Sequence, residues 1–259
     1  MSCKIKALKN GYIKIKGFEQ FYLSRTPEYF TAYIYIFLIN FNGKNILIDT
    51  GLPDKSYLEK MNKKYVEESG DKISQFIQSD DENILSLLKK EGLKPEEINY
   101  VILTHLHIDH IGGLNLFPNA KIIFSRIGWS YFHSTRFSSM ALRGQIPEYI
   151  LKYILFDAKD RIYLNDTEEE ILPGIFVYWV GGHPKCSQII NIKTEIGNIV
   201  FCGDVVGAYR NLEENIPIAL IQNLEETLIA MEKIKKIGNI IIPGHDPEIL
   251  KRFKDGNIL

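Results

Sequence analysis

Residues 104–113 read Thr104-His105-Leu106-His107-Ile108-Asp109-His110-Ile111-Gly112-Gly113. Three imidazoles and a carboxylate within six residues are costly to bury together, because each ring nitrogen needs a partner and shared positive charge repels itself. A bound cation removes both difficulties, and neutral imidazole with carboxylate is the ligand set of zinc and its first-row neighbours. A polar surface loop is the bland alternative. It fits poorly here, because the cluster follows directly on Asn99 to Thr104 (NYVILT), a short apolar run suited to a strand covered on both faces. The histidines are thus expected on the loop at the C-terminal end of a strand. There His105 and His107 can serve one metal, and Asp109 with His110 a second. Gly112-Gly113 allow close backbone packing where the loop turns away.

Four residues rarely close two metal sites, so further ligands are expected at other strand ends. Three candidates share one form, an apolar run, one or two glycines, then a ligand-type side chain. His183 follows 175–180 through Gly181-Gly182, Asp204 follows 199–202 through Gly203, and His245 follows 240–242 through Pro243-Gly244. Singly, each would be read as a cap or surface residue; together with the cluster they read as ligands. Of the six histidines, only His133 stands outside this scheme.

Around these motifs, the runs on either side of Asn42-Gly43 predict a β-hairpin with a type I′ turn, ending at Asp49-Thr50-Gly51. Residues 52–78 lack apolar periodicity and predict an irregular or short-helical insertion. Ser79 and Glu82 have capping-box spacing before Ile84, Leu87 and Leu88, which predicts a helix of about three turns stopped by Gly92. A strand is expected at 120–124 and a mostly helical, aromatic insertion at 126–160. Its Trp129, Tyr131, Phe132 and Phe137 read as core rather than as a substrate box. Strands follow at 175–180, 189–192 and 198–202. Asn223 with Glu226 opens a helix closed by Gly238, and Ile240 to Ile242 form a last strand.

The 259 residues, 45% of them hydrophobic, predict a single domain over 1–259 with insertions near 52–80 and 126–160. Thirty-one Lys and Arg against 32 Asp and Glu give no net field for a polyanion or an acidic membrane, so neither nucleic acid nor membrane is an expected partner. The lysine-rich opening lacks an apolar core of the signal-peptide kind, and the longest apolar run, Tyr33 to Phe41, is too short to span a bilayer. A cytoplasmic location is the expectation. Cys3, Cys186 and Cys202 lack C-x-x-C spacing and read as free thiols. Oligomeric state stays open, a homodimer included.

The THLHIDHIGG segment, with His183, Asp204 and His245 following in order, resembles the metallo-β-lactamase superfamily. The likeness runs from ILIDTG at 46–51 to PGHD at 243–246. It implies an α/β (α+β) fold, a four-layer αββα sandwich of two mixed sheets flanked by helices, with metals at its edge. By the resemblance His105, His107 and His183 hold one metal, and Asp109, His110 and His245 the other. Asp204 bridges the two, and Asp49 orients a histidine. The stretch GLKPEEINYVILTHLHIDHIGGLNLFPNAKI and the insertion after Asp49 are most similar to the N-acyl-homoserine lactonase branch. Two positions depart from that branch. Gly207 stands where such lactonases often carry a tyrosine, which makes nearby Tyr209 a candidate catalytic substitute, and 181–186 read Gly-Gly-His-Pro-Lys-Cys. Whether Tyr209, His133, Lys185 or Cys186 lines a pocket is left open by the sequence.

The implied function is a metal-dependent hydrolase that opens a lactone or cleaves a related carboxylic ester through a metal-bridging hydroxide, with Asp109 carrying a proton to the leaving oxygen. Two divalent ions are expected per chain, zinc first, with iron, manganese or cobalt accepted by the same ligands. The expected partner is a small ester or lactone. The alternatives are a thioester hydrolase like glyoxalase II, for which the segment after His245 is short, and an iron-dependent oxidoreductase like the sulfur dioxygenases. A flavodiiron protein is contradicted by His107, and a catalytically dead scaffold by the presence of all seven ligand types.

Overall fold

Asn42 and Gly43 take φ of 50° and 77°, the pair of positive values a type I′ turn needs. In the computed structural model, which describes residues 3–136 and 146–259, this turn joins β2 (Tyr29–Phe41) to β3 (Lys44–Ile48). The hairpin is the middle of a six-stranded sheet ordered β1-β2-β3-β4-β5-β6, with β1 at Cys3–Lys16, β4 at Tyr100–Ile102, β5 at Lys121–Ser125 and β6 at Ile162–Asn165. Strands β1 to β3 pair antiparallel and β3 to β6 parallel. A second sheet of five strands is ordered β11-β10-β9-β8-β7, from β7 (Glu168–Leu172), β8 (Ile175–Trp179), β9 (Gln188–Thr194), β10 (Gly197–Phe201) and β11 (Ile240–Ile242). Only β10 and β11 pair parallel in it. Both sheets are therefore mixed.

The helices in chain order are α1 (Gly17–Gln20), α2 (Lys55–Ser69), α3 (Ile84–Lys90), α4 (Ile108–Ile111), α5 (Arg126–Ser134), α6 (Glu148–Lys152), α7 (Tyr209–Glu213), α8 (Leu224–Ile237) and α9 (Glu248–Arg252). Strand alternation sorts the core into layers. Phe37, Ile39, Ile46, Ile48, Ile102 and Ile123 of the first sheet meet Ile175, Val177, Ile190, Ile199 and Phe201 of the second. The intervening residues Ile36, Leu38, Leu47, Val101 and Phe124 face outward under Leu87 and Leu88 of α3 and Ile150 of α6. On the far side Ile189 and Val200 lie under Ala230, Met231 and Ile234 of α8. The layers run helix, sheet, sheet, helix.

Several local expectations change. The 52–78 segment, expected to be irregular or short-helical, holds one long helix followed by an irregular stretch: α2 runs fifteen residues, capped by Asp54, whose carboxylate accepts from the Ser56 and Tyr57 amides, and ended by left-handed Gly70, while 71–78 form no helix. It buries only Leu58, so its sequence carries no apolar stripe. The next helix starts later than Ser79, with Asn83 as its cap, and spans seven residues rather than three turns. Glu82 Oε2 does accept from the Ser79 amide at 3.1 Å, but this bond closes the turn before the helix. Strands β1, β6 and β7 were not anticipated. Trp129 and Phe132 pack on the outer core; Phe137 lies outside the described residues. Among the described residues, no helix is long and apolar enough to cross a membrane.

Candidate metal centre

Strands β3 and β4 run parallel in one sheet, and β8, β10 and β11 share a direction in the other. Their C-terminal ends lead to Asp49, His105, His183, Asp204 and His245. The two sheets are joined there: the Gln188 amide donates to the Thr104 carbonyl at 2.9 Å, and Gln188 Nε2 donates to the Leu103 carbonyl at 2.8 Å. Close approach of the loops needs missing side chains. Gly203 has φ of +52°, and a Cβ there would lie 2.8 Å from Thr104 Cβ; one on Gly112 would lie 2.2 Å from the Pro53 nitrogen, consistent with the tight packing expected after the histidine cluster.

The structure brings all seven expected ligands together in two groups that share one member. His105, His107, His183 and Asp204 form one; Asp109, His110, Asp204 and His245 form the other, and within each the ligand atoms lie within 4.8 Å of one another. The Asp204 carboxylate divides between them. Its Oδ2 faces His183 Nε2 at 3.3 Å and His105 Nε2 at 3.8 Å, while its Oδ1 faces His245 Nε2 at 2.9 Å and His110 Nε2 at 3.1 Å.

The far nitrogens of the rings fix their tautomers. His110 Nδ1 donates to Asp49 Oδ2 at 2.8 Å, His245 Nδ1 to the Tyr33 carbonyl at 2.8 Å, and His183 Nδ1 to the Leu220 carbonyl. Thr104 Oγ1 gives its own hydrogen to Asp49 Oδ2 at 2.7 Å and so accepts from His105 Nδ1 at 3.1 Å. Each Nε2 of these four rings therefore turns a lone pair inward. His107 presents Nδ1, 2.9 Å from His183 Nε2. Asp49, only 3% exposed, also accepts from the Thr104 amide at 2.7 Å, so one carboxylate sets two rings, His110 directly and His105 through Thr104.

This donor set fits cations. His105 Nε2, His110 Nε2 and Asp204 Oδ1 are buried without a hydrogen-bond partner, and leaving such an atom unsatisfied costs about 1–3 kcal/mol. The three converge on one small volume, acceptor facing acceptor. The electrostatics agree. Burial, reinforced by neighbouring rings, keeps His105 far below its ordinary pKa and pushes His107 down to about 3, so both stay neutral. Burial also opposes charge on His110 and His245, but carboxylates, Asp204 foremost, outweigh it and raise both. Burial works against an ionised Asp204 as well, yet His245, His110 and His105 hold it well below the usual carboxylate range. Positive charge is what the centre calls for.

His107, Asp109, His183, Asp204 and His245 form the floor of a cavity of about 870 Å³. Its walls are Ile13 and Ile15 of β1, Met61 of α2, Phe76, Ile218 and the 219–222 segment. Helix α2 and Phe76 thus form part of the cavity wall. Gln20 and Gln222, on the same wall, carried no signal in the sequence.

The four open positions do not reach the cavity. Tyr209, expected as a catalytic substitute, is a correction: its ring lies in the inter-sheet core under the Arg252 guanidinium, 3.6 Å from the ring centroid. Its backbone amide, not its hydroxyl, is tied to Asp246 Oδ2, at 2.8 Å. Lys185 pairs with Glu226 and lies over Trp179. Cys186 is buried against Gly128, and His133 packs edge-on to Trp129 and Phe132.

A model of the metallo-beta-lactamase superfamily matches residues 31–245. The chain belongs to that superfamily. Within it, the chain is 27% identical over 226 residues to an N-acyl homoserine lactonase of Bacillus cereus, covering 85% of this chain and 84% of the relative. It is 29% identical over 221 residues to N-acyl homoserine lactonase AiiA of Bacillus thuringiensis subsp. kurstaki, covering 83% and 82%. An N-acyl homoserine lactone hydrolase structure with the product N-hexanoyl-L-homoserine at its catalytic metal centre superposes with a TM-score of 0.75 at 21% identity, covering 97% and 96%. AidC, a dizinc quorum-quenching lactonase, superposes with a TM-score of 0.69 at 20% identity, covering 95% and 88%. These superpositions establish the metallo-beta-lactamase sandwich read from the sequence.

Proposed function

We propose that this superfamily member is a metal-dependent hydrolase that opens the ester bond of a lactone, with N-acyl homoserine lactones as the leading substrate class. The observation that carries the reading is the convergence of tautomer-fixed ring nitrogens, two of them without a hydrogen-bond partner, and the Asp204 carboxylate at the floor of a cavity whose walls are part apolar and part polar. The lactonase relatives over more than four-fifths of the chain support a lactone over a thioester or a persulfide.

Two divalent cations, zinc in this reading, would supply Lewis acidity and lower the pKa of bound water towards neutrality. His105, His107 and His183 would hold one, Asp109, His110 and His245 the other, and Asp204 would contribute one oxygen to each. Asp109 combines two roles. Burial opposes its ionisation, but His110 and His245 outweigh this and lower its pKa, so it is a carboxylate at neutral pH. One oxygen faces His110 at 3.5 Å and His245 at 3.9 Å, and the residue lines the cavity, where its carboxylate can accept the proton given up by the attacking water and pass it to the leaving alkoxide. Ile13, Ile15, Met61 and Phe76 exclude water from the apolar part of the substrate. The free thiols of Cys3, Cys186 and Cys202 support a reducing, cytoplasmic setting.

The test is metal analysis of the purified protein alongside hydrolysis of N-acyl homoserine lactones, simple lactones and S-lactoylglutathione. Two zinc ions per chain with chelator-sensitive lactone opening is the expected result. Iron with no lactone hydrolysis would reject the reading. His105→Ala should lose metal and turnover together, whereas Asp109→Asn should retain some metal and lose turnover.

A further inference from the structure

Gly207 lines the cavity beside the ligand loops: its carbonyl accepts from the His245 amide at 2.9 Å. A Cβ on Gly207 would lie 2.8 Å from Gln20 Nε2. The amide of Gln20 therefore fills the space left by the missing side chain at 207. Gln20 is 5% exposed, and it lines the same cavity as Asp204 and His245.

The amide is held in one orientation by Asn211, which is fully buried. Asn211 Nδ2 donates to the Gln20 carbonyl at 3.1 Å and the Ile216 carbonyl at 2.9 Å. Asn211 Oδ1 accepts from the Ala208 amide at 2.8 Å, which fixes it as the oxygen, so the Gln20 atom 3.2 Å away must be the nitrogen. One hydrogen of Nε2 is used there. No described residue takes the second, or donates to Gln20 Oε1. The backbone around it is pinned as well, by Ala219 N to the Glu19 carbonyl at 3.0 Å and Tyr22 N to the Pro217 carbonyl at 2.8 Å. A buried amide nitrogen held by one hydrogen bond, with its second hydrogen left over at the wall of a reaction cavity, is a ligand contact in waiting.

We infer that Gln20 Nε2 donates its free hydrogen to a carbonyl oxygen of the substrate and so selects how the ester is presented to the centre. The inference rests on the lactonase reading above. Two carbonyls meet the chemistry, that of the lactone ring and that of an N-acyl amide, and they separate kinetically. A bond to the ring carbonyl strengthens as charge develops there and acts on kcat; a bond to the amide is made equally in ground and transition states and acts on KM.

The experiment compares zinc-loaded wild type, Gln20→Met and Gly207→Ala on an unsubstituted γ-lactone and its N-acylamino counterpart. Gln20→Met keeps the side-chain length, removes the donor, and leaves Asn211 Oδ1 satisfied by Ala208. Gly207→Ala keeps Gln20 but displaces its amide by the added Cβ. Both variants should lose about tenfold in kcat/KM on the N-acylamino substrate while keeping wild-type zinc content and melting temperature. Loss in kcat on both substrates assigns the ring carbonyl; a raised KM on the acylated substrate alone assigns the amide. Unchanged kinetics on both substrates in active protein, or losses that merely track lost zinc, would overturn the role of Gln20. A wild type that opens neither lactone would instead reject the lactonase reading, and this inference with it.

Discussion

Replacing Asp49 by asparagine should weaken metal binding although Asp49 touches no metal site itself. The substitution is nearly isosteric, and asparagine tolerates the positive φ of 61° at this position, so the backbone has no reason to move. What changes is hydrogen-bond polarity. Asp49 accepts from the Thr104 amide, Thr104 Oγ1 and His110 Nδ1 at 2.7, 2.7 and 2.8 Å. An asparagine oxygen can still serve the Thr104 amide, but its NH2 then faces His110 Nδ1. To avoid donor against donor, His110 must shift its proton to Nε2, and that nitrogen stops being a ligand. Loss of such an outer partner typically costs 10–100-fold in affinity, or about 1.4–2.8 kcal/mol. Competition of purified Asp49→Asn with a chromophoric chelator for zinc reads this directly, with circular dichroism as the check on fold. Affinity within twofold of wild type in a folded variant would refute the argument that Asp49 sets the tautomer.

Glu226 accepts from the Gly182 amide at 3.0 Å and pairs with Lys185, bracketing His183; Glu226→Ala should weaken zinc binding by about tenfold in the same competition assay. Gly128 has no room for a Cβ, which would lie 2.0 Å from Cys186 Cβ, so Gly128→Ala should cost about 1–3 kcal/mol or more, read as a lower urea midpoint. Burial pushes the Cys186 thiol up to about 12 from 9.0. Its folded pKa is raised, so the neutral thiol's contribution is intact below pH 9 and is lost as pH rises from there through the folded value. Stability should fall above pH 9 by up to about 1.4 kcal/mol per unit from this group. Cys186→Ala should flatten that slope in urea titrations, and native Cys186 should resist thiol reagents at pH 8. Asn223→Ala removes the acceptor for the Glu226 amide, at 3.1 Å, and should cost about 1 kcal/mol in the same measurement.

The candidate ligands were legible for two reasons: His183, Asp204 and His245 obey one local grammar, strand then glycine then ligand, and burying the imidazoles of the 105–110 cluster after a strand has few physical solutions. The turn at Asn42-Gly43 was legible because few residue pairs accept two positive φ values. Helix α2 was hidden for the opposite reason: its evidence lies in its Asp54 and Gly70 caps, since a helix that buries only Leu58 shows no apolar period. In β1, Lys4, Lys6 and Lys9 around Ile5, Ala7 and Leu8 hid a strand whose Lys6 and Lys9 pair with Glu91 and Glu82. Spacing along the chain places Tyr209 near Asp204 but says nothing of direction, and the turn into α7 sends the ring into the core. Gln20 lies far upstream of every motif, so only the folded chain brings it to Gly207.

The division of the Asp204 carboxylate, one oxygen to each group of ligands, has a thermodynamic consequence. A cation held by either group would fix the orientation of a carboxylate that the other group shares, so binding at the two groups would not be independent. The affinities of the two groups should therefore behave as a coupled pair, and a substitution at Asp204 should change both at once.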